Sequence, residues 1–146
     1  MKVSLVPPEH AVAIWPQVRP HLVKAAEYTF GRYEPEDMLA CVTDNGDSLW
    51  IAFDEQDIKG AVITSFSFYP RKKYMNMIFC GGQELDRWKK PMLEILQKWA
   101  FDTGCDGIEC SGRLGWERIF KDDGFKFLWQ TFELPMADTG LGKGNG

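Results

Sequence analysis

The sequence predicts an α/β fold with a mixed, mainly antiparallel sheet of about six strands and helices on both faces. Short alternating stretches bounded by proline, glycine and aspartate recur along the chain, which is typical of strands and turns. The stretch from Tyr74 to Phe125 adds a strand, a Gly81-Gly82 turn, a long helix and a second strand, which is the order of a βαβ unit. A chain of 146 residues can bury one hydrophobic core without a metal or a disulfide to stabilise it.

The first elements are predicted from prolines and from the spacing of apolar residues. Lys2 to Val6 alternates polar and apolar side chains up to Pro7, which predicts a short edge strand. A helix follows from about Glu9, and we expect Pro16 and Pro20 to bend or split it, because each removes a helical hydrogen bond.

The middle of the chain predicts a short helix, three strands and one long helix. The short helix has Pro35 in its first turn and ends at residues 44–47. The strands are Ser48 to Phe53, Ile58 to Tyr69 and Tyr74 to Cys80. The long helix begins between Asp86 and Trp88, is capped by Asp86 and ends at Gly104, with a core-facing stripe of Trp88, Met92, Ile95, Leu96 and Trp99.

The last part predicts a strand, a short helix, a final strand and a tail. The strand is Asp106 to Cys110, the helix is Leu114 to Asp122 with Gly124 after it, and the final strand is Phe125 to Leu134. Residues 1–136 are therefore expected to form one domain. Residues 137–146 carry glycine at 140, 142, 144 and 146, which predicts a flexible tail unless a partner holds it.

Composition excludes several classes of function. The net charge is −4, and no basic run is longer than Arg71-Lys72-Lys73, so direct contact with nucleic acid is not expected. We expect neither a signal peptide nor a membrane span, because no apolar run is long enough for one. The four cysteines lack CxxC spacing, which predicts reduced thiols and no metal site; a Cys105–Cys110 disulfide is the alternative.

The order of elements, the glycines before the long helix and the Gly124-Phe125 pair together resemble the GCN5-related N-acetyltransferase (GNAT) fold. The resemblance runs from Lys2 to about Pro135. It implies that the pantetheine arm of acetyl-CoA lies between the fourth and fifth strands, with its pyrophosphate on backbone N–H groups at the start of the long helix. The candidate cofactor-binding residues are then Gly81, Gly82, Gln83 and Arg87.

Several positions depart from the GNAT pattern. The family's phosphate loop, Gln/Arg-x-x-Gly-x-Gly/Ala, falls on residues 83–88, where Asp86 and Trp88 replace the two small residues. Both changes oppose binding, since a carboxylate repels phosphate and a side chain blocks its approach to backbone. Phe120 stands where family members commonly carry a tyrosine that acts as the general acid. The fourth strand lacks the glutamate that often serves as the base. Cys80 is the remaining candidate acid or nucleophile; the alternative is a small buried residue.

A narrower resemblance is to the GNAT-like proteins of tailed bacteriophages, including small internal virion proteins of short-tailed phages. It rests on five short motifs in order, which are Tyr69-Pro70, a Gly-Gly before a Trp-led helix, Leu96 to Ala100, Gly104 to Asp106, and Gly112 to Trp116. It implies a structural protein of the virion, present in the host cytoplasm during assembly, with no cofactor and no acetyltransferase activity.

The expected partners are other virion proteins, contacted through an aromatic surface near Trp116 or Trp129 and through the glycine-rich tail. The alternative hypothesis is an acyl-CoA-dependent N-acetyltransferase with an atypical pyrophosphate loop, whose cofactor is acetyl-CoA. An open groove at residues 83–88 favours the enzyme, whereas a groove filled by Trp88 favours the assembly protein.

Overall fold

The computed structural model describes residues 1–111 and 120–140, which fall into two compact units, one within Met1–Arg113 and the other within Leu114–Gly146. The regular elements of the first unit are β1 (Lys2–Val6), α1 (Pro8–Glu27), α2 (Pro35–Thr43), β2 (Ser48–Phe53), β3 (Ile58–Phe68), β4 (Lys73–Gly82), α3 (Leu85–Asp102) and β5 (Gly107–Cys110).

The strands form one sheet in the order β1-β2-β3-β4-β5. The first four strands pair antiparallel, and β5 joins β4 in parallel. The predicted mixed, mainly antiparallel sheet is therefore confirmed, with five strands among the described residues of the first unit. The parallel pair is the one that α3 connects, as expected of a βαβ crossover.

Helices cover both faces of this sheet, as predicted. Leu49 and Trp50 are adjacent in β2 and therefore point to opposite faces. Leu49 belongs to a core with residues of α1 and α2. Trp50 makes an edge contact with Trp99 of α3, and its indole N–H donates to the Thr64 hydroxyl at 3.0 Å. Trp50 thus has both a ring partner and a hydrogen-bond partner on this face of the sheet.

Pro16 and Pro20 were expected to bend or split helix α1; the helix is continuous, so the split is wrong. Both prolines lie inside the 20-residue helix, four positions apart on its exposed side. Each proline leaves one backbone carbonyl, of Val12 or Pro16, without its helical donor. Because those residues are also exposed, water can bond both carbonyls, and the buried face formed by Trp15 and its neighbours holds the helix together.

Gly81 and Gly82 lie in β4 and not in the predicted turn. They pair with Ala61 and Gly60 of β3. A Cβ atom on Gly81 would lie 2.0 Å from the carbonyl oxygen of His21 in α1, and one on Gly82 would lie 2.4 Å from that of Lys59. These two glycines are therefore required where backbone packs directly on backbone.

The second unit has little regular structure among its described residues. Lys121–Asp123 is a single 3-10 turn closed by Gly124, whose φ of +87° suits glycine. The predicted strand from Phe125 to Leu134 is wrong, because residues 125–135 are irregular; the alternating pattern was present, but no described strand of this unit lies beside it.

Other predictions at this end of the chain fall partly outside the described residues. Most of the predicted helix from Leu114 to Asp122 does so, as do Gly112 to Trp116 and residues 141–146. Met136–Thr139 forms a second 3-10 turn at the start of the predicted tail.

We predict that Gly81→Ala destabilises the protein by about 3 kcal/mol, because its methyl group must push the α1 backbone away from β4. Gly107→Ala is the matched control. Its Cβ would meet only the side chain of Tyr74, at 3.1 Å, and a small ring movement should limit the loss to about 1 kcal/mol. Urea denaturation of both variants measures the difference. Equal stabilities would contradict the close approach of α1 to β4.

Candidate functional site

The candidate site lies where β4 and β5 stop pairing. Their ladder runs from Tyr74 opposite Gly107 to Met77 opposite Cys110. Of the remaining residues of β4, Phe79 to Gly82 pair with β3 alone among the described strands, and Ile78 lies at a bulge in that pairing. The N-terminus of α3 follows directly, so this is the place where the GNAT resemblance locates the cofactor.

The position of a small residue in the family's phosphate loop is filled here by a buried indole. Trp88 is 1% exposed and packs over Gly60 of β3, where a Cβ would lie 2.4 Å from the ring. Its indole N–H donates to the carbonyl oxygen of Gln83 at 2.8 Å. The indole N–H and the loop carbonyl therefore satisfy each other's hydrogen bond, and Trp88 belongs to the core.

Gly81 and Gly82 face protein backbone, as described for the fold. A phosphate cradle needs glycines whose missing side chains leave room for a ligand. Here the room beside Gly81 is taken by the His21 carbonyl, and the room beside Gly82 is taken by Lys59 and Gly60. Close packing between β4, β3 and α1 thus explains why both positions are glycine.

A carboxylate stands at the start of α3, and it belongs to Glu84. Glu84 occupies the N-cap position with a left-handed backbone (φ 54°) and makes no capping hydrogen bond with its side chain. Its carboxylate accepts a hydrogen bond from Arg87 at 2.9 Å and lies 3.5 Å from the Lys59 ammonium. Asp86 is exposed in the first turn, so the prediction that Asp86 caps the helix is wrong.

These contacts change the charge that a ligand would meet. The hydrogen bond from Arg87 lowers the pKa of the Glu84 carboxyl, and the same bond raises the pKa of Arg87. Glu84 is therefore ionised throughout the neutral range. The Arg87 guanidinium, which the GNAT resemblance assigns to the cofactor, is directed to a carboxylate of its own helix.

Gln83 is bonded through its backbone on both sides. Its N–H donates to the Lys59 carbonyl at 2.7 Å, and its own carbonyl accepts from Trp88. Gln83 also lines a polar cavity of about 430 Å³ beside α1, together with Gln17, His21, Gln56, Asp57 and Ile58. That cavity is lined by residues of α1, by residues 56–58 at the start of β3 and by Gln83, with no lining residue from β5.

Cys80 lies on the α3 face of β4 and is poorly suited to act as an acid or nucleophile. The residue as a whole is half-buried, yet burial of the thiol raises its pKa well above the ordinary value, and the neighbouring Cys110 raises it further. Burial likewise raises the pKa of Cys110 to about 11. A thiol with a raised pKa carries little thiolate at neutral pH.

The remaining candidates lie elsewhere. Phe120 belongs to the second unit, where its ring packs on Phe125 at 4.8 Å between centroids, and it has no hydroxyl to donate. Glu109 lies on β5 and accepts a hydrogen bond from Tyr69, while Glu117 lies outside the described residues. The described cysteines are free, and no described group of three or more His, Cys, Asp or Glu residues converges as a metal site.

Sequence reasoning missed Gly60, Lys59 and Glu84. Gly60 contacts Trp88, and Lys59 pairs with Glu84, in each case more than twenty positions away; Glu84 is also marked by its left-handed backbone. No local motif predicts such features. The signal that could have been read is compositional: a glycine inside the apolar strand β3 indicates that a large ring or another backbone comes close.

Comparison with solved structures shows a GNAT-like fold. A mutant of the BH1408 protein from Bacillus halodurans superposes with a TM-score of 0.69 at 15% identity, over 92% of this chain and 99% of that one. A ribosomal-protein-alanine N-acetyltransferase from Brucella melitensis gives 0.64 at 13% identity, over 92% and 99%.

A predicted acetyltransferase with acetyl-CoA from Clostridium acetobutylicum gives a TM-score of 0.65 at 13% identity, over 94% of this chain and 97% of that one. No protein-family model and no curated protein matches the sequence. At these identities the likeness extends to the fold, which is mixed α/β with a mainly antiparallel sheet. None of the described helices is long and apolar enough to cross a membrane.

We predict that iodoacetamide at about pH 8 alkylates Cys80 and Cys110 at least tenfold more slowly than the same cysteines in the urea-unfolded chain, because raised pKa values leave little thiolate. Peptide mass mapping over time gives the four rates, and the unfolded chain is the internal control. Labelling of Cys80 at the unfolded rate would restore it as a reactive thiol.

Proposed function

We propose that this protein is a GNAT-like protein without acetyltransferase activity that acts through contacts with other proteins, as a structural component of a phage virion. The observation that carries the proposal is the buried Trp88, which fills the space over Gly60 at the head of α3. The GNAT resemblance has a small residue at this position, next to the backbone N–H groups that would hold a pyrophosphate.

The charges at the same place support the proposal. A pyrophosphate at the start of α3 would approach the carboxylates of Glu84 and Asp86. The two cations nearest Glu84, from Lys59 and Arg87, are already paired with it. Binding would therefore require breaking existing ion pairs and bringing like charges together.

A contiguous apolar segment of the second unit supports a role in protein contacts. Six large apolar side chains between residues 127 and 136 are each more than half exposed: Phe127, Leu128, Trp129, Phe132, Leu134 and Met136. Exposed apolar stretches of this kind mark interaction surfaces. The virion as location follows from the phage-type sequence motifs, and the host cytoplasm is where the protein would reside before assembly.

An acyl-CoA-dependent N-acetyltransferase is the second candidate, favoured by one structural feature. Residues 78–82 of β4 are free of β5, and the N-terminus of α3 lacks a side-chain cap, so its positive end is open on that side. The structural neighbour with acetyl-CoA shares this fold. Under this hypothesis, Glu84 and Trp88 must move before the cofactor binds.

We predict that the natural chain gives no heat with acetyl-CoA in calorimetric titration up to about 1 mM, the concentration that corresponds to about −4 kcal/mol of binding. Micromolar binding would contradict the proposed lack of a cofactor. The variant Glu84→Gln with Asp86→Asn tests the charge contribution and should gain at most weak binding, because Trp88 still fills its place. Glu94→Gln with Asp102→Asn removes the same charge farther along α3 and is the matched control.

We predict that Phe127→Ser with Trp129→Ser reduces incorporation of the protein into phage particles at least tenfold, because both exposed rings belong to the contact surface. Stability should change by less than about 0.5 kcal/mol, as expected for surface sites. Quantitative mass spectrometry of purified particles measures incorporation. Phe101→Ser, at a ring that is 83% exposed on α3, is the matched control. Normal incorporation of the double variant would place the assembly surface elsewhere.

A further inference from the structure

The sheet face opposite α3 carries a group of polar and aromatic side chains where β4 and β5 run together. Asn76 pairs with Glu109, and Tyr74 pairs with Gly107. Residues that pair in adjacent strands share a face, while their chain neighbours Met75 and Met77 are buried on the α3 side. Tyr74, Asn76 and Glu109 therefore project from one face of two adjacent strands.

Tyr69, which follows β3, completes this group. Its hydroxyl donates to the two carboxylate oxygens of Glu109 at 3.1 and 3.3 Å, and this bond raises the pKa of Tyr69. The Tyr69 and Tyr74 rings meet edge to face at 5.8 Å between centroids. Gly107 leaves room for the Tyr74 ring, since a Cβ there would lie 3.1 Å from it. The Glu109 carboxylate is thus bonded to Tyr69, whose ring in turn contacts Tyr74.

This group has more hydrogen-bond acceptors than donors. The side-chain oxygen of Asn76 is buried and has no hydrogen-bond partner among the described residues. Glu109 receives a single hydroxyl proton, and none of the ion pairs between described residues includes it. Buried acceptors are normally satisfied, so an orphaned amide oxygen beside a carboxylate indicates a missing donor.

The nearby lysine of the same chain does not supply that donor. The Lys73 ammonium donates to the Thr103 carbonyl at 2.6 Å and lies 4.4 Å from the centre of the Phe66 ring. Met75 is the register partner of Phe66, so this contact belongs to the α3 side of the sheet. On the opposite face, no ion pair between described residues compensates the charge of Glu109, on a chain whose net charge is −4.

We infer that Tyr69, Tyr74, Asn76 and Glu109 form a recognition site for a basic side chain, lysine or arginine, of a partner protein. An ammonium or guanidinium group offers only donors and matches a carboxylate with an unpaired amide oxygen. Aromatic rings beside a carboxylate add cation–π attraction. The inference deepens the proposed function, on which it rests for the partner being a protein, and it names the chemistry that the partner presents.

The test is an NMR titration of the natural protein with a blocked Gly-Lys-Gly tripeptide. We expect amide shifts at the four site residues that saturate in the millimolar range, and none with the tripeptide that carries neutral Nε-acetyl-lysine. Glu109→Gln keeps an acceptor for Tyr69 but loses the charge, and should weaken binding at least tenfold. Glu94→Gln removes one exposed carboxylate from α3 and should leave binding unchanged.

Two results would overturn the site: equal shifts with the neutral tripeptide, or undiminished binding by Glu109→Gln in a sample whose spectrum shows a folded protein. Adding acetyl-CoA to the saturated sample separates this inference from the proposed function. If the lysine amine forms an amide with the acetyl group while the thioester C–S bond breaks and coenzyme A and a proton are released, the basic-side-chain site stands and the non-catalytic function fails.

Discussion

The first unit depends on close backbone packing at the end of β4. Gly81 lies against the His21 carbonyl of α1, and Gly82 lies against Lys59 and Gly60 of β3. The indole of Trp88 packs against the same Gly60, on the side of the strand opposite the α1 core. Absent side chains thus bring α1, β3, β4 and α3 within contact distance at one point, which no bulkier sequence could do.

The packing at this point explains how the head of α3 departs from the phosphate-loop pattern of the GNAT resemblance. Glycines that would expose backbone to a ligand here expose it to other backbone, and the loop carbonyl that follows bonds the Trp88 indole. The cations near the turn are paired with Glu84. A phosphate ligand would need the same glycines and cations. In this chain those groups are engaged in contacts within the fold.

How far the sequence could predict the structure depended on whether the deciding contact was local. The bounds of β1 and β2 were predicted correctly, because the alternation of polar and apolar residues and the proline or aspartate that ends each strand are neighbours in the chain. Pro16 and Pro20 misled because burial of the opposite face of α1 outweighs two lost hydrogen bonds. Gly81-Gly82 resembled a turn because a glycine pair is equally suited to close packing within a strand.

The candidate site was predictable in part for the same reason. Trp88 and Asp86 could be recognised as departures from a phosphate loop. The packing of the Trp88 indole on Gly60 could not be predicted, since the two residues are distant in sequence. The group around Glu109 had no sequence motif at all. It exists because β4 and β5 pair in a register that sets Asn76 beside Glu109, and because Tyr69 reaches over from the end of β3.

The most direct measurement is hydrogen exchange at the Trp88 indole N–H, followed by NMR with and without millimolar acetyl-CoA. We predict a protected signal whose position and exchange rate do not change, because the indole is bonded to Gln83 and buried over Gly60. A shifted signal with faster exchange on adding acetyl-CoA would show that the ring leaves its place to admit the cofactor. That result would contradict a closed, non-catalytic site.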